Sequence, residues 1–251
     1  MSLGDALLEL QQLTERLRRE CPWDREQTAQ TIVPHTVEEA YEVADAALSG
    51  DDEKLADELG DLLFQTFFLA LLLQERGRSD LEAVARGIHE KLVRRHPHVF
   101  SGVDAATADR VRENWERIKV REDATLFGGI SGGLPALVFA RKVQQRAAGI
   151  GFEYPDAVGA LGDLEDEVGE LRADLGDPAR AAEEIGDVLF ACVNVARRIG
   201  ADPELALRSA SQRFIARVEH AERLARGDGR DFATLSLDDQ DGYFDRAKAS
   251  T

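Results

Sequence analysis

The stretch Glu58-Leu-Gly-Asp-Leu-Leu-Phe64 occurs a second time in this chain, as Glu184-Ile-Gly-Asp-Val-Leu-Phe190. Five of the seven positions are identical, and the other two are aliphatic in both copies. Self-similarity at a fixed offset is typical of a duplicated structural unit. The sequence therefore predicts two tandem copies of one module.

A glycine-rich segment lies between the two copies. Residues 128–135 contain four glycines and one proline and separate two regions of regular hydrophobic periodicity. Such a break in composition is typical of a junction. We expect one module over 1–127, a linker over 128–134 and a second module over 135–251.

Signals for helices recur along the chain, whereas no stretch alternates between apolar and polar residues over the length of a strand. The predicted fold class is therefore all-α, with two helical modules that have cores like a four-helix bundle. Capping motifs predict helix starts near residues 37, 80, 178 and 203. Aliphatic residues at helical spacing predict helices over 3–19, 53–74, 80–94, 109–120, 135–147, 157–175 and 204–225.

The composition excludes several classes of protein. There are 48 acidic against 31 basic residues and a net charge of -17, which argues against nucleic acid as a partner. Cys21 and Cys192 lie in no CxxC pattern, so neither a disulfide framework nor a zinc site is expected. The most apolar stretch, 62–73, is too short to span a bilayer. We expect a cytoplasmic protein without a membrane partner.

Each module carries an ExxE motif followed by an ExxD motif. Residues three apart lie on one face of a helix, so two antiparallel helices can bring the two pairs face to face. Four carboxylates without imidazole or thiolate are suited to Mg2+, with Mn2+ as a possible substitute. The predicted ligands are Glu39, Glu42, Glu58 and Asp61 in the first module, and Glu167, Glu170, Glu184 and Asp187 in the second.

An acidic chain also shows ExxE pairs as ordinary solvated helix faces. Two features favour a metal site. The ExxD acids of the first module lie in a strongly apolar helix, where clustered carboxylates are costly without a cation. Gly60 and Gly186 also occupy predicted helix interiors, which suggests that something approaches the backbone there.

The doubled acidic pattern resembles the MazG family of nucleoside triphosphate pyrophosphohydrolases. The resemblance also includes Cys21-Pro-Trp-Asp24, Arg94-Arg-His-Pro-His-Val-Phe100, Trp115-Glu-Arg-Ile-Lys119 and Gly151-Phe152. It implies an all-α fold, assembly as a homodimer or larger homo-oligomer, and Mg2+ at each acidic site. It also implies that water attacks the α-phosphorus of a nucleoside or deoxynucleoside triphosphate, giving the monophosphate and pyrophosphate.

The resemblance further assigns candidate roles to residues around the acids. Glu38 and Asp166, each directly before an ExxE motif, are candidates to assist the attacking water. The candidate triphosphate ligands are Lys91, Arg95 and Lys119 in the first module and Arg213 and Arg217 in the second. The aromatic residues Trp23, Trp115, Phe152 and Tyr243 are candidates for base stacking, although core packing is the ordinary role of such rings.

The second module departs from the family pattern at two positions. Arg213 stands where lysine is more usual, and Tyr243 stands where a tryptophan like Trp115 is expected. These departures leave open which module is active.

Two other readings compete with this one. A ferritin-like di-metal oxidase requires Glu-x-x-His pairs, which the acidic motifs lack. A non-enzymatic helical protein that binds a nucleotide or a partner explains the charge but not the repeated core motif.

Overall fold

The computed structural model describes residues 2–102, 107, 110–111, 114–115, 118–119, 122 and 125–250. Those residues form α-helices and one short 3-10 helix, with no β-strand among them, which confirms the predicted all-α class. The predicted helix over 109–120 falls partly outside them. No helix in the described part of the chain has the length and hydropathy needed to cross a bilayer.

The chain divides into two compact units, Met1–Val111 and Arg112–Thr251. The predicted linker over 128–134 lies inside the second unit as so divided. The module boundaries at 127 and 135 stay a prediction, since residues 103–124, which precede them, are only partly described.

Residues 2–102 of the first unit form four long helices and two short ones. The two-residue connection between α3 and α4 makes these helices an antiparallel pair. They share a core in which Ile32 of α3 packs with Phe68 and Leu72 of α4. The helices are α1 (Leu3–Glu20), α2 (Pro22–Glu26), α3 (Ala29–Ser49), α4 (Asp52–Glu75), α5 (Leu81–Arg95) and α6 (Pro97–Phe100).

The second unit repeats the central helix pair as α8 and α9. A separate core lies between α10 and α11, where Ala221, Ala225, Tyr243 and Ala247 are buried together. The helices are α7 (Ala136–Ala148), α8 (Ala157–Asp174), α9 (Pro178–Arg198), α10 (Pro203–Gly227) and α11 (Leu237–Ala249), with a 3-10 turn at Phe232–Thr234.

Three of the four predicted helix starts are confirmed. Asp80 caps α5, and Asp177 and Asp202 cap helices whose first residue is proline. These side chains accept hydrogen bonds from backbone N–H groups that have no partner within the helix.

The predicted start near residue 37 is wrong. Helix α3 begins at Ala29, where Thr28 and Thr31 form a capping box. Pro34 lies inside the helix, and the Thr36 hydroxyl donates to the Ile32 carbonyl instead of capping. Proline removes one backbone hydrogen bond but keeps a helical φ. The burial of Ile32 against α4 compensates for that loss.

Arg18 of α1 fastens the segment that leads into α3. Its guanidinium donates to both carboxylate oxygens of Glu75, at 2.8 and 2.9 Å. It also donates to the backbone carbonyls of Asp24 and Gln27. Through these bonds Arg18 of α1 connects α2 and the start of α3 to the end of α4. Its side chain is only 17% exposed, so water competes little for the same groups.

We expect Arg18→Ala to lower the free energy of unfolding by about 2–3 kcal/mol, because it leaves partly buried carbonyls and a carboxylate without their donor. Urea denaturation followed by circular dichroism measures this change. Arg16→Ala is the matched control, since its pair with Glu20 is exposed on both sides. Equal effects of the two substitutions would contradict the role given to Arg18.

Candidate metal centre

The four predicted acids of the first unit come together between α3 and α4. Glu39, Glu58 and Asp61 each place one carboxylate oxygen within 4.8 Å of the others. Glu42 adjoins this group, since its charge acts on both Glu39 and Glu58. The packing of α3 on α4 therefore produces the face-to-face arrangement that the two motifs predict.

The second unit builds the same cluster between α8 and α9. Glu167, Glu184 and Asp187 have carboxylate oxygens within 4.8 Å of one another. Glu170 lies close enough to act electrostatically on both Glu167 and Glu184. The sequence repeat is thus also a repeat of geometry.

Burial and like charge both act on the first cluster. Glu58 is only 9% exposed. Loss of hydration, followed by the negative charge of Glu42, raises the pKa of Glu58 above its usual value. Loss of hydration and the charge of Asp61 likewise raise the pKa of Glu39. Without a cation, these carboxylates are held together against their repulsion.

The second cluster shows the same electrostatic pattern. Loss of hydration, followed by the charges of Asp187 and Glu170, raises the pKa of Glu167. Loss of hydration and the charge of Glu170 raise the pKa of Glu184. Both units therefore concentrate negative charge at the same place on their helix pair.

The donor set fits a hard divalent cation. All the clustered groups are carboxylates, which Mg2+ and Mn2+ prefer. Mg2+ lies about 2.0–2.1 Å from its oxygen ligands, so oxygens on one ion are separated by roughly 3–4 Å. Carboxylate oxygens already within 4.8 Å of one another need only small rotations to reach such separations.

A basic side chain lies one helical turn before each ExxD motif, and the sequence analysis did not predict it. The Lys54 ammonium lies 4.0 Å from a carboxylate oxygen of Glu58. Arg180 binds Asp174 at 3.2 Å and acts on the charge of Glu184. Lys54 and Arg180 are separated by the same 126 residues as the acids, so aligning the two repeats would have found them.

A tyrosine beside the second cluster was also missed. The Tyr154 hydroxyl donates to Asp163 at 2.6 Å. This hydrogen bond is the largest cause of a raised pKa of Tyr154, and the charges of Glu167 and Asp166 contribute. Tyr154 therefore lies within the field of the acidic cluster.

In the first unit, the place beside the acidic cluster that Tyr154 and Asp163 occupy in the second unit holds a histidine and a tryptophan. The imidazole ring of His35 meets the edge of Trp23, with ring centroids 5.8 Å apart. Its Nδ1 lies 3.7 Å from a carboxylate oxygen of Glu38.

The remaining predicted site residues lie around the helix pairs. Glu38 and Asp166 are exposed beside the clusters. Their predicted catalytic roles and the predicted phosphate contacts stay predictions. Of the predicted phosphate ligands, Lys91 and Arg95 lie on α5, Arg213 and Arg217 lie on α10, and Lys119 lies in the partly described segment, 5.6 Å from the ring of Trp115.

The aromatic candidates separate into packed and exposed rings. Tyr243 is 6% exposed and its hydroxyl donates to Asp228, so core packing is its role and base stacking is not. Phe244, the next residue, is partly exposed and contacts Phe214 with ring centroids 5.7 Å apart. Trp23 and Phe152 are exposed by 52% and 81%.

The internal repeat supports Phe244 as the counterpart of Trp115. Trp115 is followed four residues later by Lys119, and Phe244 is followed four residues later by Lys248. The predicted match of Trp115 to Tyr243 is therefore displaced by one residue. Neighbouring side chains point about 100° apart around a helix, so Tyr243 and Phe244 face different surroundings.

The glycines within the ExxD motifs face open space. A Cβ atom built at Gly60 or Gly186 meets no atom within 4 Å in the described part of the chain. No described residue therefore approaches the backbone there, and the expected close approach stays a prediction.

We expect the metal-free protein to become more stable as the pH falls from 7 to about 5. A raised pKa in the folded state means that the folded protein binds protons more readily than the unfolded chain. The stability gained from protonating these acids is therefore lost as the pH rises through their folded pKa values. Carboxylates with lowered pKa values, such as Glu75 and Asp228, act in the opposite direction only at more acidic pH.

Differential scanning calorimetry at both pH values, with and without saturating Mg2+, measures the effect. Mg2+ should raise the melting temperature more at pH 7 than at pH 5, since protons and the cation compete for the same oxygens. A melting temperature that Mg2+ leaves unchanged at pH 7 would contradict the metal assignment.

Known proteins are similar to this chain along nearly its whole length. The chain is 38% identical to the nucleoside triphosphate pyrophosphohydrolase of Escherichia coli (strain K12), over 99% of this chain and 98% of that protein. It is 38% identical to the nucleoside triphosphate pyrophosphohydrolase/pyrophosphatase MazG of Thermotoga maritima, over 96% and 94%. A nucleoside triphosphate pyrophosphohydrolase of Mycobacterium tuberculosis is 32% identical over 80% of this chain and 65% of that protein.

Residues 27–100, which run from the start of α3 to the end of α6, match the family described as the MazG nucleotide pyrophosphohydrolase domain. This match includes the whole first acidic cluster. Because two relatives are also 38% identical to it over nearly its full length, the chain belongs to the MazG family.

Proposed function

We propose that this protein is a Mg2+-dependent nucleoside triphosphate pyrophosphohydrolase, which cleaves nucleoside or deoxynucleoside triphosphates between the α and β phosphates. The observation that carries the proposal is the carboxylate cluster on a paired-helix scaffold in both units, with three acids within 4.8 Å of one another and a fourth beside them. Relatives that match the chain over nearly its whole length carry this activity in their names.

The ExxE and ExxD acids of each unit are the residues that would hold the ion. Bound there, Mg2+ supplies positive charge that polarises the phosphates and lowers the pKa of coordinated water. Mn2+ has the same ligand preference and is a possible substitute. Because the acids are partly removed from water, their negative charges attract such a cation more strongly than exposed carboxylates would.

Other side chains have the chemistry to bind and orient the triphosphate. Arginine forks bind two phosphate oxygens at once, which suits Arg95, Arg213 and Arg217. Lys91 and Lys119 offer single positive charges for the same purpose. Phe244, packed on Phe214 beside Arg213, offers a ring face for the base.

In the proposed reaction the oxygen of water forms a bond to the α-phosphorus while the bond from that phosphorus to the bridging oxygen breaks. Glu38 or Asp166, exposed next to the ExxE acids, takes a proton from the water. The products are a nucleoside monophosphate and pyrophosphate. The role in the cell that we propose is control of the nucleotide pool in the cytoplasm.

The proposal is tested by incubating the protein with Mg2+ and a panel of ribo- and deoxynucleoside triphosphates, followed by chromatography of the products. We expect monophosphate and pyrophosphate. Diphosphate with phosphate would contradict the proposed bond. No turnover of any nucleotide would favour the non-enzymatic binding protein instead.

Glu42→Gln combined with Glu170→Gln should lower kcat by more than about 100-fold, because even groups that only support metal ligands typically contribute 10–100-fold. The matched control is Glu53→Gln with Glu165→Gln, two exposed glutamates on the same helix pairs, which should leave kcat unchanged. Retained activity in the first double variant would refute the assignment of these acids. The two single variants, Glu42→Gln and Glu170→Gln, then show which unit turns over substrate.

We also propose that the chain assembles with further copies of itself as a homodimer or larger homo-oligomer. Both units expose an apolar pair beside the acids, Leu59 with Leu63 and Ile185 with Leu189, each side chain 39–49% exposed. These pairs, the apolar stripes, occur at the same offset as the acids. Exposed apolar surface that recurs in this way is typical of a protein interface.

Replacing all four stripe residues by glutamine should shift the sedimentation coefficient toward that of the monomer, because the interface loses its apolar contacts. Analytical ultracentrifugation measures this shift. Leu3, Leu175 and Ile199, which are more exposed and lie at helix ends, provide the control when they are replaced together. A wild-type protein that sediments as a monomer would refute the proposed assembly.

A further inference from the structure

We propose that Tyr154 and Asp163 strengthen divalent-cation binding at the second acidic cluster, so that the second unit binds the ion more tightly than the first. The inference rests on the proposed metal-dependent function and concerns residues outside the ExxE and ExxD motifs. It assigns Tyr154 as a positioning residue that acts through Asp163.

The segment that carries Tyr154 is held in place by the end of α9. The Glu153 carboxylate pairs with Arg197 and Arg198, each at 2.9 Å. Arg198 also donates to the backbone carbonyl of Pro155. Because these arginine side chains are only 13% and 23% exposed, the contacts fix the backbone on both sides of Tyr154.

The first turn of α8 then receives the tyrosine ring. A Cβ atom built at Gly159 would lie 3.4 Å from Tyr154 Cβ and 3.5 Å from its Cδ1. These are ordinary van der Waals distances, so the ring lies directly against the first turn of the helix. The ring position brings the hydroxyl to Asp163, at 2.6 Å.

Asp163 extends the acidic face of α8 by one helical turn. It lies four residues before Glu167, which in turn lies three residues before Glu170, so the three carboxylates share one face. The short hydrogen bond from Tyr154 favours the ionised carboxylate and restricts its rotation. Asp163 thus adds a fixed negative charge next to the predicted ligands, which any bound cation experiences.

The first unit lacks this charge. The offset of 128 residues that relates Glu39 to Glu167 also relates His35 to Asp163. An imidazole is neutral or positive, and that of His35 lies against Trp23 and Glu38. With the same four acids but an imidazole in place of the Asp163 carboxylate, the first cluster should attract a cation less strongly.

Titration with Mn2+ alone, followed by electron paramagnetic resonance of the free ion, tests the proposal without any nucleotide. The parent protein carries Glu58→Gln and Asp61→Asn, which leaves only the second cluster intact. In this background Asp163→Asn should weaken Mn2+ binding about threefold to tenfold, as expected for one charge at a partly solvated site. Tyr154→Phe, which keeps the ring, should weaken it about twofold to fivefold.

Glu165→Gln is the matched control in the same background. It removes the same charge from the same helix, and Glu165 is exposed two residues from Glu167, on the opposite face of α8. Mn2+ affinity should change by less than about twofold with this substitution. Circular dichroism verifies that each variant keeps its helix content.

The reciprocal experiment leaves only the first cluster intact, through Glu184→Gln and Asp187→Asn. Adding His35→Asp should then tighten Mn2+ binding about threefold to tenfold, because it supplies the missing charge.

The outcomes separate the inference from the proposed function. If Asp163→Asn and Glu165→Gln weaken Mn2+ binding equally, the effect is one of overall charge and the inference is wrong, while the metal site stands. If the parent protein with its intact second cluster binds no Mn2+, the proposed metal site itself is wrong.

Discussion

The mutual repulsion of carboxylates held together on paired helices is the constraint on which the rest of the structure depends. Four acids in each unit lie close together, and loss of hydration together with their like charge raises the pKa values of two glutamates in each cluster. Helix pairs that were loosely packed would move apart and relieve this repulsion. In the first unit the buried contacts of Ile32 with Phe68 and Leu72 hold the pair closed. Lys54 and Arg180 offset part of the charge.

Both units anchor the segment before the ExxE helix with arginine. In the first unit Arg18 donates to the carbonyls of Asp24 and Gln27, just before α3. In the second unit Arg198 donates to the carbonyl of Pro155, just before α8, and pairs with Glu153. The anchoring arginine comes from different helices, yet in each case it fixes an aromatic residue next to the acidic face. That aromatic residue is Trp23 in one unit and Tyr154 in the other.

The two helix pairs are therefore alike in their clustered acids and different in their surroundings. A cation near the four acids would experience those surroundings through charge over several ångströms. Residues one helical turn away, such as His35 and Asp163, can thus differentiate two sites that have the same coordinating groups. The two helix pairs thus repeat the same acidic motifs but differ in the charges around them.

The sequence by itself determined the helical class, the duplication and the eight acids, because each rests on local periodicity or on direct comparison of the two copies. Capping by Asp177 and Asp202 was equally predictable, since it involves residues only two or three positions apart, whereas α5 is capped by Asp80 and not by Ser79 of the predicted motif. Lys54 and Arg180 were within reach of the same comparison of repeats.

Only the tertiary structure decided the features that depend on contacts between distant residues. Helix α3 continues through Pro34 because Ile32 is buried against α4, a contact that no local rule contains. Tyr243 is buried while Phe244 is partly exposed because the packing of α11 on α10 sets which side of the helix faces the core. The bond from Tyr154 to Asp163 likewise requires the loop before α8 to fold back onto that helix. Periodicity shows which residues share a face, whereas packing determines what that face meets.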